Sequence, residues 1–131
     1  MEMDDAISEF RRASPKSLAD QLDFTPDSLN VIEAHVLKTY ANVAEAKAPT
    51  EAKRVDAMAR YVGEVFRRHF GGKWKIDYSD KKNAFYGLPQ LSGMKGQDVQ
   101  FCPLTLVTAS THRRTGSFFR KIFDNYLRDT S

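Results

Sequence analysis

Tyr61-Val62-Gly63-Glu64-Val65-Phe66-Arg67-Arg68-His69-Phe70-Gly71-Gly72-Lys73-Trp74 is where this chain changes its periodicity. Before Gly71 the apolar residues recur with the 3.6-residue period of a helix; after it they alternate with polar residues, the period of a strand. Spaced at about 100° per residue, Val55, Met58, Ala59, Val62, Val65, Phe66 and Phe70 fall in one arc, which predicts a helix over 51–70. His69 falls inside that arc, whereas Arg60, Glu64, Arg67 and Arg68 fall on the opposite side and are expected to point outward. Gly63, beside the arc, costs about 1 kcal/mol relative to alanine in a helix interior. Its missing side chain lets another element approach closely. Gly71-Gly72 supplies the left-handed residue that ends helices.

Downstream, Trp74, Ile76 and Tyr78 alternate with Lys75 and Asp77, predicting a half-buried strand whose apolar face joins the core. Ser79-Asp80-Lys81-Lys82-Asn83 reads as a polar turn, and a second strand is expected over 84–88, with Pro89 near its end marking an edge or bulge. The loop Ser92-Gly93-Met94-Lys95-Gly96 leads to a third strand over 99–101, completing a short antiparallel three-stranded sheet within 73–101. Pro103 starts a helix with Leu104, Leu106 and Val107 inward, ending near His112-Arg113-Arg114. Thr115-Gly116-Ser117 offers a hinge and a cap. Phe118, Phe119, Ile122, Phe123, Tyr126 and Leu127 then form a broad aromatic stripe on a helix over 117–128, which must be buried in its own core or in a partner.

Upstream, Thr25-Pro26-Asp27 has the composition of a helix start, and Leu29, Ile32, Val36, Tyr40 and Val43 continue one stripe, predicting a helix over 26–46. Ala46-Lys47-Ala48-Pro49 breaks it, and Thr50 can cap the helix that follows. Residues 2–13 form a short amphipathic helix with Met3, Ile7 and Phe10 on one face, stopped by Ser14-Pro15; a helical turn through Leu18 and Leu22 leads to Phe24. The expected architecture is a single α+β domain over 1–131: an N-terminal helical arm (1–24), a helical pair (25–72), the sheet (73–101) and C-terminal helices (103–128).

The chain's 131 residues suit one domain with a working core, and its apolar share of 41% and charged share of 28% are ordinary for a folded protein. Cys102 stands alone and has no intrachain partner for a disulfide, which fits a reducing compartment. No apolar run approaches the roughly 18 residues that span a bilayer. The acidic opening Met-Glu-Met-Asp-Asp is unlike a secretory signal, so a cytoplasmic location without a membrane partner is expected. The net charge of +3 conceals an asymmetry: residues 1–59 carry 7 Lys/Arg against 11 Asp/Glu, whereas residues 60–131 carry 13 against 6. Such a split steers charged partners where each sign gathers on one face, and is otherwise an uneven solvated surface.

Candidate chemistry is sparse. His35, His69 and His112 are far apart and lack metal-ligand spacing, so neither a metal nor a cofactor is predicted. His69 reads first as a hydrogen-bonded core histidine. Cys102, just before Pro103, stands where a helix dipole can lower a thiol pKa, but the sequence nominates no base beside it. Glu64 has Arg60 and Arg68 one turn to either side, the spacing of an exposed salt-bridge ladder. Ser92-Gly-Met-Lys-Gly lacks the order of a phosphate loop. Arg67, Arg68, Lys73, Lys75, Arg113, Arg114, Arg120 and Lys121, with Trp74 and Tyr78, offer a basic patch for nucleic acid, interrupted by Asp77, Asp80 and Asp124.

The run Tyr61-Val-Gly63-Glu64, then Arg67-Arg68, then Gly71-Gly72-Lys-Trp74 resembles a signature of small, mostly uncharacterised bacterial α+β proteins. In these, a YxGE helix passes through a GGxW turn into a short sheet; Gly116-Ser117-Phe118-Phe119 looks like the start of their C-terminal helix. The resemblance brings no catalytic residues, and some proteins of this style look like immunity proteins that accompany bacterial toxins. The expected function is therefore a non-catalytic protein-binding module of immunity type that occludes a cognate toxin, with Arg60, Glu64, Arg67 and Arg68, or the acidic N-terminal helices, meeting an oppositely charged surface. The alternatives are a nucleic-acid binder using the basic second half and a small enzyme using Cys102 or His69.

Overall fold

The computed structural model describes residues 3–76, 78–79, 81–82, 87–94 and 101–130. Among these the chain is mostly helical: α1 (Met3–Ala13), α2 (Lys16–Gln21), α3 (Ser28–Thr39), α4 (Val43–Ala46), a 3-10 turn at Pro49–Glu51, α5 (Ala52–Phe70), then β1 (Lys73–Ile76) and β2 (Pro89–Ser92), then α6 (Pro103–Arg113) and α7 (Phe118–Thr130). The α+β architecture with helices on both sides of a small sheet is as the sequence predicts.

The 19-residue α5 is the central element, packed by α1, α3, α6 and β2. From Met58 to Phe66 every residue of it is buried. Its apolar arc behaves as expected, with Val55, Met58, Val62, Val65 and Phe66 in the core. At its end Phe66 and Phe70 join Phe101, Phe123 and Tyr126 in an aromatic cluster; the Phe66 and Phe123 rings meet edge-on at 5.4 Å. That cluster buries the aromatic stripe of α7 within the molecule, leaving Leu127 outside it.

The sheet is smaller than predicted. Among the described residues only β1 and β2 pair as strands, antiparallel, from Lys73 opposite Ser92 to Ile76 opposite Pro89. The expected third strand contributes one bridge, Phe101 to Leu91, with both backbone bonds made (2.8 and 3.0 Å); 99–100 lie outside the described residues. Most of the expected second strand, 84–86, lies outside them as well. Pro89 opens β2 instead of closing a strand, a position where its missing N–H costs little. The core assignment of β1 also changes. Trp74 is half-buried, but Ile76 and Tyr78 are 40% and 65% exposed, because a two-stranded sheet has too little cover for a whole apolar face.

The helix predicted over 26–46 is two helices. Tyr40 is extended (φ −121°, ψ 121°), and α4 restarts after Asn42, whose side-chain oxygen accepts the Glu45 N–H at 2.9 Å. The break is held from afar. Arg114 donates to the carbonyls of Leu37 and Tyr40, both at 2.9 Å, capping the C-terminal end of α3. In return Glu33 of α3, fully buried, accepts the N–H groups of Phe118 (3.1 Å) and Phe119 (2.7 Å) and caps the N-terminus of α7. The corner between α6 and α7 is thus fastened to α3 at both of its ends.

Candidate partner-binding surface

The stretch that organises the sequence turns out to be a bonded unit. The Tyr61 hydroxyl donates to Ser28 Oγ at 2.8 Å and accepts the Phe24 N–H at 3.0 Å, tying the loop before α3 to α5. Burial pushes this phenol above its ordinary range. Gly63 lies under the Trp74 ring, as its missing side chain suggested: a Cβ there would stand 2.6 Å from Pro103 Cγ and closer still to the indole. Gly71 and Gly72 both take positive φ, and a Cβ on Gly72 would meet the Ser92 carbonyl at 2.9 Å.

Glu64 sits at the junction. It is 2% exposed, not on an outer face, because Trp74 folds back over the helix and donates its Nε1–H to Oε1 at 3.2 Å. Arg67 binds the same carboxylate with two bonds, 2.6 and 2.8 Å, and Arg68 adds one at 3.3 Å. Burial opposes ionisation of Glu64, but the bonds from Arg67, Trp74 and Arg68 outweigh it and hold the carboxyl below its usual range. Arg60, also expected outward, is 9% exposed and binds Asp56 at 2.7 Å. Of the four residues predicted to meet a partner, two are therefore turned into the fold.

The other two keep accessible guanidinium edges, with side chains 39% and 48% exposed at Arg67 and Arg68. Arg68 also lies over the Phe24 ring at 3.7 Å, which fixes its plane. Because Glu64 holds both arginines and Trp74, the basic end of α5 is joined directly to β1. There Lys73, Lys75, Ile76 and Tyr78 are all exposed, and the turn at Lys81 and Lys82 carries two more cations. The segment is rich in exposed cations, with Lys73 and Lys75 on the opposite side of the strand from Trp74 and Ile76.

The residues named for catalysis are placed differently. Cys102 is buried just before α6, and that burial pushes its thiol up, opposite to the activation a nucleophile needs. His69 is exposed, not inward; its Nδ1 donates to the Val65 carbonyl at 2.9 Å and its ring meets only the edge of Phe123. His112 is exposed at the end of α6, beside Arg113, which lies over the Phe118 ring. No described helix is long and apolar enough to cross a membrane.

Sequence reasoning missed Glu33, and it read Arg114 as part of a basic patch where the structure has it capping α3. Glu33 left a signal, since at about 40° from Leu29 it falls inside the apolar arc of α3, where a charge needs a buried partner. Compared with family models, curated proteins and solved structures, the chain matches none of them.

Proposed function

We propose that this chain is a non-catalytic protein-binding module that covers an acidic surface of a protein partner, most concretely an immunity-type protein occluding a bacterial toxin. The single observation behind this reading is the exposed, cation-rich segment after α5, whose first strand is joined to the end of α5 through Glu64. One buried carboxylate, Glu64, gathers Arg67, Arg68 and Trp74, and so sets two guanidiniums beside a strand that exposes Lys73, Lys75, Ile76 and Tyr78. Exposed Ile76 and Tyr78 supply apolar and aromatic surface of the kind found at interface centres. The arginines are held in place before a partner arrives, so little side-chain entropy is lost on binding. The toxin comes from the general resemblance to small bacterial α+β proteins, some of which look like immunity proteins; the residues of the Tyr61–Trp74 run account for the architecture.

The test is co-expression with the proteins encoded by the reading frames that flank this one in its genome, each checked for toxicity when expressed alone. The expected outcome is protection of growth and a stoichiometric complex on size exclusion that weakens with salt. Lys73→Glu with Lys75→Glu, or Tyr78→Ala, should abolish both while changing stability by less than about 0.5 kcal/mol, as surface substitutions do. A complex unaffected by these changes would overturn the assignment of the face.

Tyr78, 65% exposed, also suits base stacking, and this observation favours nucleic acid as the second reading. Filter binding to single-stranded RNA and duplex DNA across salt separates the two. Affinity that rises steeply at low salt and is lost in Tyr78→Ala, without any protein complex, would replace the first reading with the second.

A further inference from the structure

On the molecule's other charged region, α1, α3 and the start of α5 enclose an open cleft of about 450 Å³. That is within the range of small-molecule sites. Phe10, Ala13, Pro15 and Ala57 give it apolar surface, and its charged lining is mixed, Lys53 and Arg54 with Glu9 and Asp56 around His35. The Phe10 ring leans on the His35 imidazole at 6.3 Å. Among the described residues neither ring nitrogen of His35 has a hydrogen-bond partner, although the residue is half-buried.

The charges facing His35 come from every wall. Glu9 on α1 reaches Lys53 at 3.6 Å, a pair in which both side chains are more than half exposed and so easily parted. Arg54 pairs with Glu51 at 3.3 Å, and Glu51 also accepts the Tyr40 hydroxyl at 2.8 Å. Asp56 is occupied by Arg60. Burial lowers the His35 pKa, and Arg54 and Lys38 lower it further. The imidazole therefore favours its neutral form, with an open nitrogen and apolar side chains beside it.

We infer that this cleft binds a small organic acid, its apolar body against Phe10, Pro15 and Ala57 and its carboxylate between His35 and Arg54. A carboxylate there supplies the acceptor that a protonated His35 needs. Binding then strengthens as pH falls through the His35 pKa, until the ligand itself takes a proton.

The experiment uses the full chain and follows the three histidine ring protons by NMR, with His35 assigned from His35→Gln. The probes are phenylacetate, its neutral isostere phenylacetamide and the cation phenethylamine. Phenylacetate should shift the His35 signal saturably and raise its pKa, the amide should bind at least about tenfold more weakly, and the amine should leave it unmoved. Arg54→Gln, at an exposed position, should weaken phenylacetate at least about tenfold while the fold, checked by circular dichroism, stays intact. N-acetyl-glycyl-phenylalanine distinguishes the source of the acid: tighter binding than phenylacetate assigns a chain terminus, weaker binding a free acid. No saturable shift with either carboxylate, or an equal response to the amine, overturns the proposal.

Discussion

Gly63→Ala separates two opposing effects by sign. In an exposed helix interior the change would stabilise by about 1 kcal/mol, since alanine is the better helix former. Here the added methyl would lie 2.6 Å from Pro103 Cγ, 2.9 Å from one indole carbon and nearer to another. Forcing a methyl into a packed site costs about 1–3 kcal/mol. If Trp74 swings clear instead, it gives up its bond to the Glu64 carboxylate, worth about 1.5–3 kcal/mol for a charged acceptor. Set against the helix gain of about 1 kcal/mol, either cost leaves an expected net destabilisation of up to roughly 2 kcal/mol. The chain has one tryptophan, so equilibrium urea unfolding followed by its fluorescence reports on the residue that must move. A Trp74→Ala background, which has no tryptophan and is followed by circular dichroism instead, relieves the indole contact but leaves Pro103, so the penalty should shrink without vanishing, with a coupling energy above about 0.5 kcal/mol. If Gly63→Ala matched or exceeded the wild type in stability and left the native emission unchanged, the close approach at this glycine would be refuted.

Glu64→Gln should cost about 1–3 kcal/mol near neutrality, at the modest end for a buried acceptor because both arginines are partly solvated. Since the folded carboxyl titrates below its ordinary value of 4.5, its contribution is complete above that pH and is lost as pH falls through the lower folded value; the gap between wild type and variant should close over that acid range in chemical denaturation. Glu33→Ala strands two N–H groups at the start of α7 and should destabilise by about 2–4 kcal/mol, with faster hydrogen exchange at Phe118 and Phe119; unchanged exchange there would refute the cap. Cys102, buried and shifted upward, should react with a disulfide reagent at pH 8 at least about a hundredfold more slowly in the native chain than after denaturation.

Periodicity located most helices because a stripe buried on one side is what a packed helix requires. It placed α5, α6 and α7 within a residue or two of their observed ends. It failed where a different rule governed. The break at Tyr40 was invisible because Val43 continues the spacing of Leu29, Ile32 and Val36, so two helices sharing a core read as one. Glu64 was placed outward because a helical wheel assumes one buried side, whereas α5 is covered all round once Trp74 returns over it. His69 errs the other way: it lies in the apolar arc, but the arc outlasts its cover at the last turn. Arg67 and Arg68 were recognised as accessible cations, but their link to β1 depends on a tertiary contact ten residues away. The cleft at His35 is assembled from three helices, and no local pattern announces it.

The fastening of α3 by Glu33 and Arg114 bears on how the chain is made. The bonds that finish α3 and start α7 span 74 to 86 residues of sequence, so the third helix waits for residues near the far end of the chain. During synthesis, at roughly 5–20 residues per second, α3 leaves the ribosome seconds before Arg114 exists to close it. Its buried glutamate must meanwhile stay hydrated, which keeps the half-made core open. Ribosome-stalled chains ending before residue 114 should accordingly remain protease-sensitive through α3, and protection should arrive in one step once α7 has emerged.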